Sequence, residues 1–118
     1  MTLIWEQVVV DALDPDALAA WWVAALGWVD ISAGTDDEPE LRPDADTLPG
    51  LLFVKVPEGK TVKNRLHLDF RPDDRDAEVE RLVALGARRV DVGQADVSWV
   101  VLADPEGNEF CVLGSRRP

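Results

Sequence analysis

His67 and Glu109 are the two residues of this sequence whose types point most directly to chemistry. His67 is the only histidine, and it lies in the alternating run Arg65–Phe70, whereas Glu109 lies in the apolar run Asn108–Leu113. An imidazole and a carboxylate on neighbouring strands can form part of a metal site or of an acid–base site. A structural role is equally compatible with them, in which His67 is hydrogen-bonded and Glu109 forms a salt bridge to His67 or Arg65.

The composition predicts a single globular domain over residues 1–118. Apolar residues make up 47% of the chain and charged residues 30%, which suits a protein with its own core. Cys111 is the only cysteine, so an intrachain disulfide is excluded and a reducing cytoplasm is expected. Membrane and secretory roles are not expected, because no apolar run approaches the length of a membrane span and no signal segment is recognisable.

The charge of the chain argues against a nucleic-acid partner. The net charge is −11, and phosphate binding requires a basic face. The positive charge is nevertheless clustered, since the three lysines, Lys55, Lys60 and Lys63, fall within nine residues and Arg65 follows them. This cluster predicts either a local site for an anionic ligand or a solvated loop that offsets nearby acids.

The hydrophobic pattern predicts two copies of the order strand, helix and three strands. Asp14 begins the first helix and Gly27 ends it, while Asp73 or Asp74 begins the second helix and Gly86 ends it. Strands are expected at residues 3–11, 28–32, 38–42, 51–56, 65–70, 88–92, 97–102 and 108–113. A lysine-rich loop is expected at residues 57–64, and a frayed tail at residues 115–118.

The two halves form an internal repeat. Val-Ala-Ala-Leu-Gly27 ends the first helix and Leu-Val-Ala-Leu-Gly86 ends the second, which places Gln7 and His67 at nearly equivalent strand positions. The first copy covers about residues 1–57 and the second about residues 65–114. These features predict an α+β fold, in which two tandem βαβββ modules form a curved mixed sheet with a central cleft.

Three motifs carry a resemblance to a known superfamily. They are Asp14-Pro-Asp-Ala-Leu-Ala-Ala-Trp21, Lys60-Thr-Val-Lys-Asn-Arg-Leu-His-Leu-Asp69 and Asp104-Pro-Glu-Gly-Asn-Glu-Phe110. With the βαβββ repeat, they resemble the vicinal oxygen chelate superfamily, and within it the small glyoxalase-like and bleomycin-resistance-like proteins. The resemblance spans almost the whole chain.

The resemblance implies a metal-ligand set of Gln7, His67 and Glu109. The ion would be divalent zinc, nickel, manganese or iron, or there would be no cofactor at all. The strand-four run Leu51–Val56 has no donor, so Glu109 would have to serve as both ligand and catalytic base. Ordinary glyoxalase I chemistry is therefore not expected. Extradiol dioxygenase chemistry is not expected either, because residue 7 is glutamine rather than histidine.

Aromatic and polar side chains suggest the class of ligand. Trp5 has the same strand parity as Gln7 and is expected to point into the same cleft, where Lys63 and Asp69 would also contact a ligand. Such a site suits a planar or apolar small molecule. Trp21 is expected to fill the core. An exposed Trp22 would favour the homodimer that the resemblance implies.

Two hypotheses about function follow. The first is a metal-assisted lyase or isomerase that acts on a small organic molecule, with Gln7, His67 and Glu109 around the ion. The second is a metal-free protein that binds and sequesters a small organic molecule, as bleomycin-resistance-type proteins do. In that case Trp5, His67, Glu109 and Lys63 line the cleft. The empty strand-four position favours the second hypothesis, and the retained histidine and glutamate favour the first.

Overall fold

The computed structural model describes residues 2–91 and 97–116, and the chain divides into two compact units between Gly59 and Lys60. The first unit consists of β1 (Gln7–Ala12), α1 (Pro15–Leu26), β2 (Val29–Asp30), β3 (Glu40–Arg42) and β4 (Gly50–Lys55). The second unit consists of β5 (Leu68–Phe70), α2 (Arg75–Leu85), β6 (Arg88–Arg89), β7 (Val100–Ala103) and β8 (Glu109–Val112).

Both units have the same topology. The strand order is β1-β4-β3-β2 in one four-stranded sheet and β5-β8-β7-β6 in the other. In each unit the first strand pairs in parallel with the last, and the remaining pairs are antiparallel. The predicted α+β fold of two tandem βαβββ modules is thus confirmed, with each module building a mixed sheet of its own.

The two helices begin and end at the predicted residues. The side chain of Asp14 accepts a hydrogen bond from Ala17 N, and Asp74, rather than Asp73, accepts one from Ala77 N. These contacts satisfy amide groups that have no partner inside the first turn of a helix. Gly27 and Gly86 end the helices in the left-handed conformation, with φ angles of 69° and 117°. None of the described helices is both long and apolar enough to cross a bilayer.

The tryptophans of α1 are arranged differently from the prediction. Trp22 is 3% exposed and packs in the core, whereas Trp21 is only half-buried. Their rings meet edge to face, with centroids 5.0 Å apart. The apolar pattern of this helix is nearly continuous, so spacing alone did not identify which tryptophan faces the sheet. The expectation that Trp21 fills the core is therefore wrong, and Trp22 is too buried to make the dimer contact that an exposed ring would have favoured.

The strands are shorter than predicted, and this moves two candidate residues off them. β1 begins at Gln7, so Trp5 precedes the strand and is 66% exposed. β5 begins at Leu68, so His67 lies immediately before it. An apolar run precedes β1 and alternation precedes β5, and neither pattern reports where hydrogen bonding starts. The predicted sixth strand ends at Val92, which lies outside the described residues.

The expected frayed tail is wrong for its first two residues. Ser115 Oγ accepts a hydrogen bond from Arg75 N at 2.8 Å, and Arg116 N donates to the carbonyl of Pro72 at 2.7 Å. These contacts connect the end of the chain to the start of α2. Arg117 and Pro118 lie outside the described residues.

Gly50, the first residue of β4, occupies a position with no room for a side chain. A Cβ built there would lie 2.7 Å from the carbonyl oxygen of Leu41 and 3.1 Å from Cγ of Arg42. Gly50→Ala is therefore expected to lower the free energy of unfolding by about 2 kcal/mol, because the β3 backbone must shift. Denaturant unfolding measures this change. Gly59→Ala is the control, since its Cβ would lie at an ordinary 3.5 Å from Leu13, and an equal loss in both variants would contradict the prediction.

Candidate functional site

Glu109 is positioned by the turn that precedes β8. The side chain of Asp104, 1% exposed, accepts hydrogen bonds from the backbone amides of Glu106 and Asn108 at 3.0 and 2.9 Å. The Asn108 side-chain amide also donates to both Asp104 carboxylate oxygens. Gly107 completes the turn with a φ angle of 90°, which favours glycine. The polar groups of this turn thus hydrogen-bond to one another. Glu109 is the first residue after the turn.

Both carboxylate oxygens of Glu109 have protein donors. Lys60 Nζ donates to Oε2 at 2.6 Å, and the backbone amide of Asn64 donates to Oε1 at 2.7 Å. The Asn64 side chain also donates to the Glu109 carbonyl at 3.3 Å. The pair is largely enclosed, since the side chains of Lys60 and Glu109 are 18% and 11% exposed. The loop before β5 is therefore fastened to the start of β8.

These contacts fix the charge of Glu109. Burial by itself would raise the pKa of this carboxyl, but the hydrogen bonds from Lys60 and Asn64, together with the Lys60 charge, outweigh burial and lower the pKa. A carboxylate with a lowered pKa is a poor general base because it holds a proton weakly, and the donors on both Glu109 oxygens hold this one in place. The predicted salt bridge to His67 or Arg65 is instead made to Lys60.

His67 lies beside Lys63 on an exposed surface. Lys63 Nζ is 3.0 Å from His67 Nε2, and both side chains are exposed. An ammonium group has no acceptor, so in this contact Lys63 donates and the ring nitrogen accepts. The contact brings together two residues that the sequence predicted for different roles, a ligand-binding lysine and a metal-binding histidine.

Asp69 and Cys111 face each other across the β5–β8 ladder. Asp69 is the direct register partner of Cys111, so the two side chains share a face of the sheet. Cys111 is 5% exposed. Burial first, and then the charge and hydrogen bond of Asp69, raise the pKa of the thiol to about 11. Asp69, predicted to contact a ligand, is thus engaged with the thiol.

Cys111 is expected to react slowly in the folded protein. The shift of its pKa from 9.0 to about 11 lowers the thiolate fraction at pH 8 about 100-fold, and burial limits access further. Alkylation by iodoacetamide should therefore be at least about 100-fold slower in buffer than in guanidinium chloride. Asp69→Asn should react faster than the wild-type protein, because the adjacent negative charge is removed. Equal rates in the folded and unfolded protein would contradict this prediction.

Gln7 belongs to the first unit, where it pairs with Gly50 in the β1–β4 register. The register of the second unit places Glu109 opposite the residue just before β5, which is His67. Gly50 is therefore the first-unit counterpart of Glu109. The crowding at Gly50 explains why strand four has no metal-ligand donor at this position, since it leaves no space for any side chain.

A family model for the glyoxalase-like domain matches residues 7–113. The chain belongs to the glyoxalase-like family. Membership in the vicinal oxygen chelate superfamily, which the three sequence motifs predicted, is confirmed by this match and by structural neighbours. No curated relative matches the sequence.

Several solved structures share this glyoxalase-like fold. A glyoxalase/bleomycin resistance protein/dioxygenase family enzyme from Burkholderia phytofirmans PsJN is 20% identical, with a TM-score of 0.70 and coverage of 95% of this chain and 98% of that one. The fosfomycin resistance protein FosX from Mesorhizobium loti is 14% identical, with a TM-score of 0.70 and coverage of 98% and 94%. TnmS3, an antibiotic binding protein from Streptomyces sp. CB03234, is 18% identical, with a TM-score of 0.67 and coverage of 98% and 99%. At these identities the similarity establishes the fold alone.

Among the described residues of this glyoxalase-like chain, Glu109 and His67 are not placed to fit a divalent ion. Both oxygens of Glu109 are bonded to Lys60 and Asn64, and His67 Nε2 faces the ammonium of Lys63, which repels a cation. Over residues 2–91 and 97–116, no group of three or more histidine, cysteine, aspartate or glutamate side chains could hold a metal ion. A metal would have to displace a largely enclosed ion pair before binding.

A cavity in the first unit was not predicted. Its volume is about 460 Å³, and its lining combines the start of α1 with the acidic loop before β3. The Lys55 ammonium donates to the carbonyl of Leu13 at the edge of this cavity. The lining residues are Leu13, Asp14, Pro15, Asp16, Asp36, Asp37, Glu38, Pro39 and Lys55. Its acidic residues Asp36 and Asp37 lie between the strands predicted at residues 28–32 and 38–42, and the hydrophobic pattern gave no signal for a cavity there.

Proposed function

We propose that this glyoxalase-like protein binds a small organic molecule without a resident metal ion. One observation carries the proposal: both carboxylate oxygens of Glu109 are bonded to Lys60 and Asn64. A metal-assisted lyase or isomerase needs that carboxylate as a ligand or as a base. A binding protein does not need it to be open, and gains a rigid loop from the same contacts.

The binding surface in the second unit is formed by the exposed side chains beside the Glu109–Lys60 pair. Lys63, His67 and Asp69 are exposed and lie on or next to the β5 edge of the sheet. They offer ammonium, imidazole and carboxylate groups in a short segment, which can orient a small polar molecule. The description of TnmS3 as an antibiotic binding protein is consistent with a binding role for this fold.

Gln7 and Trp5 remain part of the proposal as groups of the first unit. Gln7 begins β1 and is half-buried, and Trp5 precedes the strand with most of its ring exposed. An exposed indole suits contact with a planar ligand. The variant Trp5→Phe tests this contact. If the indole contacts the ligand, the substitution weakens ligand affinity. If the indole only changes its fluorescence when a ligand binds elsewhere, affinity is unchanged.

A homodimer is also proposed, on the support of an exposed apolar run at the start of the first unit. Leu3, Ile4 and Trp5 are 94%, 78% and 66% exposed. Consecutive exposed apolar side chains are common at protein contacts. Sedimentation velocity should give twice the monomer mass, and a single species of 13.0 kDa would contradict it.

Ligand binding in the presence of a chelator tests the proposal. EDTA-treated protein is screened for small organic compounds that raise the melting temperature, and each hit is titrated calorimetrically. The expected result is stoichiometric binding in EDTA, unchanged by added zinc and weakened by His67→Ala but not by Arg88→Ala, an exposed residue on β6. Binding that requires a divalent ion would overturn the proposal and favour the metal-assisted enzyme.

A further inference from the structure

Lys63 and His67 place two basic nitrogens side by side on the surface of the second unit. Their Nζ and Nε2 atoms are 3.0 Å apart, and both side chains are exposed. The exposed Arg65 lies between them in the sequence. Because an imidazole carries no negative charge, the contact supplies no counter-charge for the Lys63 ammonium.

Of the two acids in this region, Glu109 is paired with a cation, whereas the partner of Asp69 is a neutral thiol that does not offset its charge. The Glu109 carboxylate is bonded to Lys60 and Asn64, and Asp69 shares a hydrogen bond with the Cys111 thiol. Among the described residues, the ion pairs within 4.0 Å include neither Lys63 nor Arg65. In a chain of net charge −11, this local excess of positive charge stands out against an acidic background.

Two exposed apolar residues adjoin these basic residues in the sequence. Val62 is 76% exposed and Leu66 is 87% exposed, and they lie next to Lys63 and His67 in the sequence. Exposed aliphatic groups beside a cationic group match a molecule that has a charged head and an apolar body. Inorganic anions would use only the nitrogens.

We propose that Lys63 and His67 form a subsite for the anionic group of a small organic acid whose apolar body lies against Val62 and Leu66. This inference rests on the proposed binding function and adds the class of ligand. The anionic group accepts from Lys63 Nζ, which its hydrogen bond to His67 Nε2 holds in place, and Arg65 supplies further positive charge. The overall charge of the protein repels anions, so any preference for an anion must come from this local group.

Three naphthalene derivatives of similar size test the inference. The probes are 2-naphthoate, the neutral 2-naphthamide and the cationic 2-naphthylmethylammonium, titrated at pH 7.5 into the full chain. We expect naphthoate to bind about tenfold more tightly than the neutral amide, and the cation to bind most weakly. Lys63→Gln should lower naphthoate affinity about tenfold and leave the amide unchanged. Arg88→Gln removes the same charge from β6, at the opposite edge of the sheet, and should change neither.

The outcomes distinguish a failure of the anionic subsite from a failure of the proposed binding function. Equal affinity for the three probes, or a loss of naphthoate binding of the same size in Lys63→Gln and Arg88→Gln, would overturn the anionic subsite while leaving a binding protein. If none of the three probes binds, and the chelator screen also finds no ligand, both the subsite and the binding function are overturned. Melting temperatures of both variants check that they fold, which is expected because both side chains are exposed.

Discussion

Glu109→Ala is expected to lower the free energy of unfolding by about 3 kcal/mol, the low end of the effect of breaking an enclosed ion pair. The substitution leaves the Lys60 ammonium, 18% exposed, without its carboxylate, and it removes the acceptor of Asn64 N. Denaturant unfolding of the variant against the wild-type protein measures the loss. Glu58→Ala, which removes an exposed carboxylate from the same loop region, is the matched control and should change stability little.

A double variant distinguishes a structural pair from a functional carboxylate. Lys60→Met with Glu109→Leu removes both charges together, so no unpaired charge is left, and it should be more stable than Glu109→Ala alone. If Glu109 were instead held ready for chemistry, its replacement would cost little stability. A loss below that of the Glu58 control would therefore contradict the structural role.

Acidification should destabilise the protein through the same residue. The folded-state pKa of Glu109 lies below its ordinary value of 4.5. The contribution of Glu109 to the free energy of unfolding is therefore fully present above the unfolded-state pKa, and it is lost as the pH falls through the folded-state pKa. Between about pH 5 and pH 3, the melting temperature of the wild-type protein should fall more steeply than that of Glu109→Gln. Parallel curves would contradict the assignment.

Asp104→Ala is the second large effect, with an expected loss of about 3 kcal/mol in the free energy of unfolding. The side chain is 1% exposed and accepts from the amides of Glu106 and Asn108, and from the Asn108 side chain. Alanine would leave these buried or half-buried donors without their acceptor. Chemical unfolding measures the change.

Asp104→Asn is the graded control for this prediction. Its amide keeps one oxygen that can accept from the two backbone amides, so its loss should be clearly smaller than that of alanine. Because the turn leads directly into β8, Asp104→Ala should also loosen the Lys60–Glu109 contact. Faster hydrogen exchange at the Asn64 amide would report this. Equal stability of the alanine variant and the wild-type protein would show that the turn does not depend on Asp104.

The sequence was most informative where local chemistry determines structure. Asp14 and Gly27 delimit α1 because caps and left-handed glycines act within a few residues. The repeat also predicted that both modules would share one topology, and they do. Strand ends were harder to predict from the sequence, because the alternation already begins at residues 65–67, before the β5 ladder starts.

The site depends on contacts that no local pattern encodes. Lys60 and Glu109 are 49 positions apart, and only the fold brings them to 2.6 Å. The sequence singled out the lysine cluster, yet it offered His67 and Arg65 as partners of Glu109 instead of Lys60. The emptiness of strand four was visible in Leu51–Val56, whereas the crowding at Gly50 that explains it became visible only in three dimensions.

Calorimetric titration of the metal-stripped protein with zinc, nickel, manganese and ferrous ions shows whether Glu109 and His67 can bind a metal ion. Since Glu109 is held by Lys60 and Asn64, and Lys63 lies against His67, the account predicts no stoichiometric binding of any of these ions. Stoichiometric, micromolar or tighter binding that is lost in both His67→Ala and Glu109→Gln would contradict it, and would establish a metal site at these two residues.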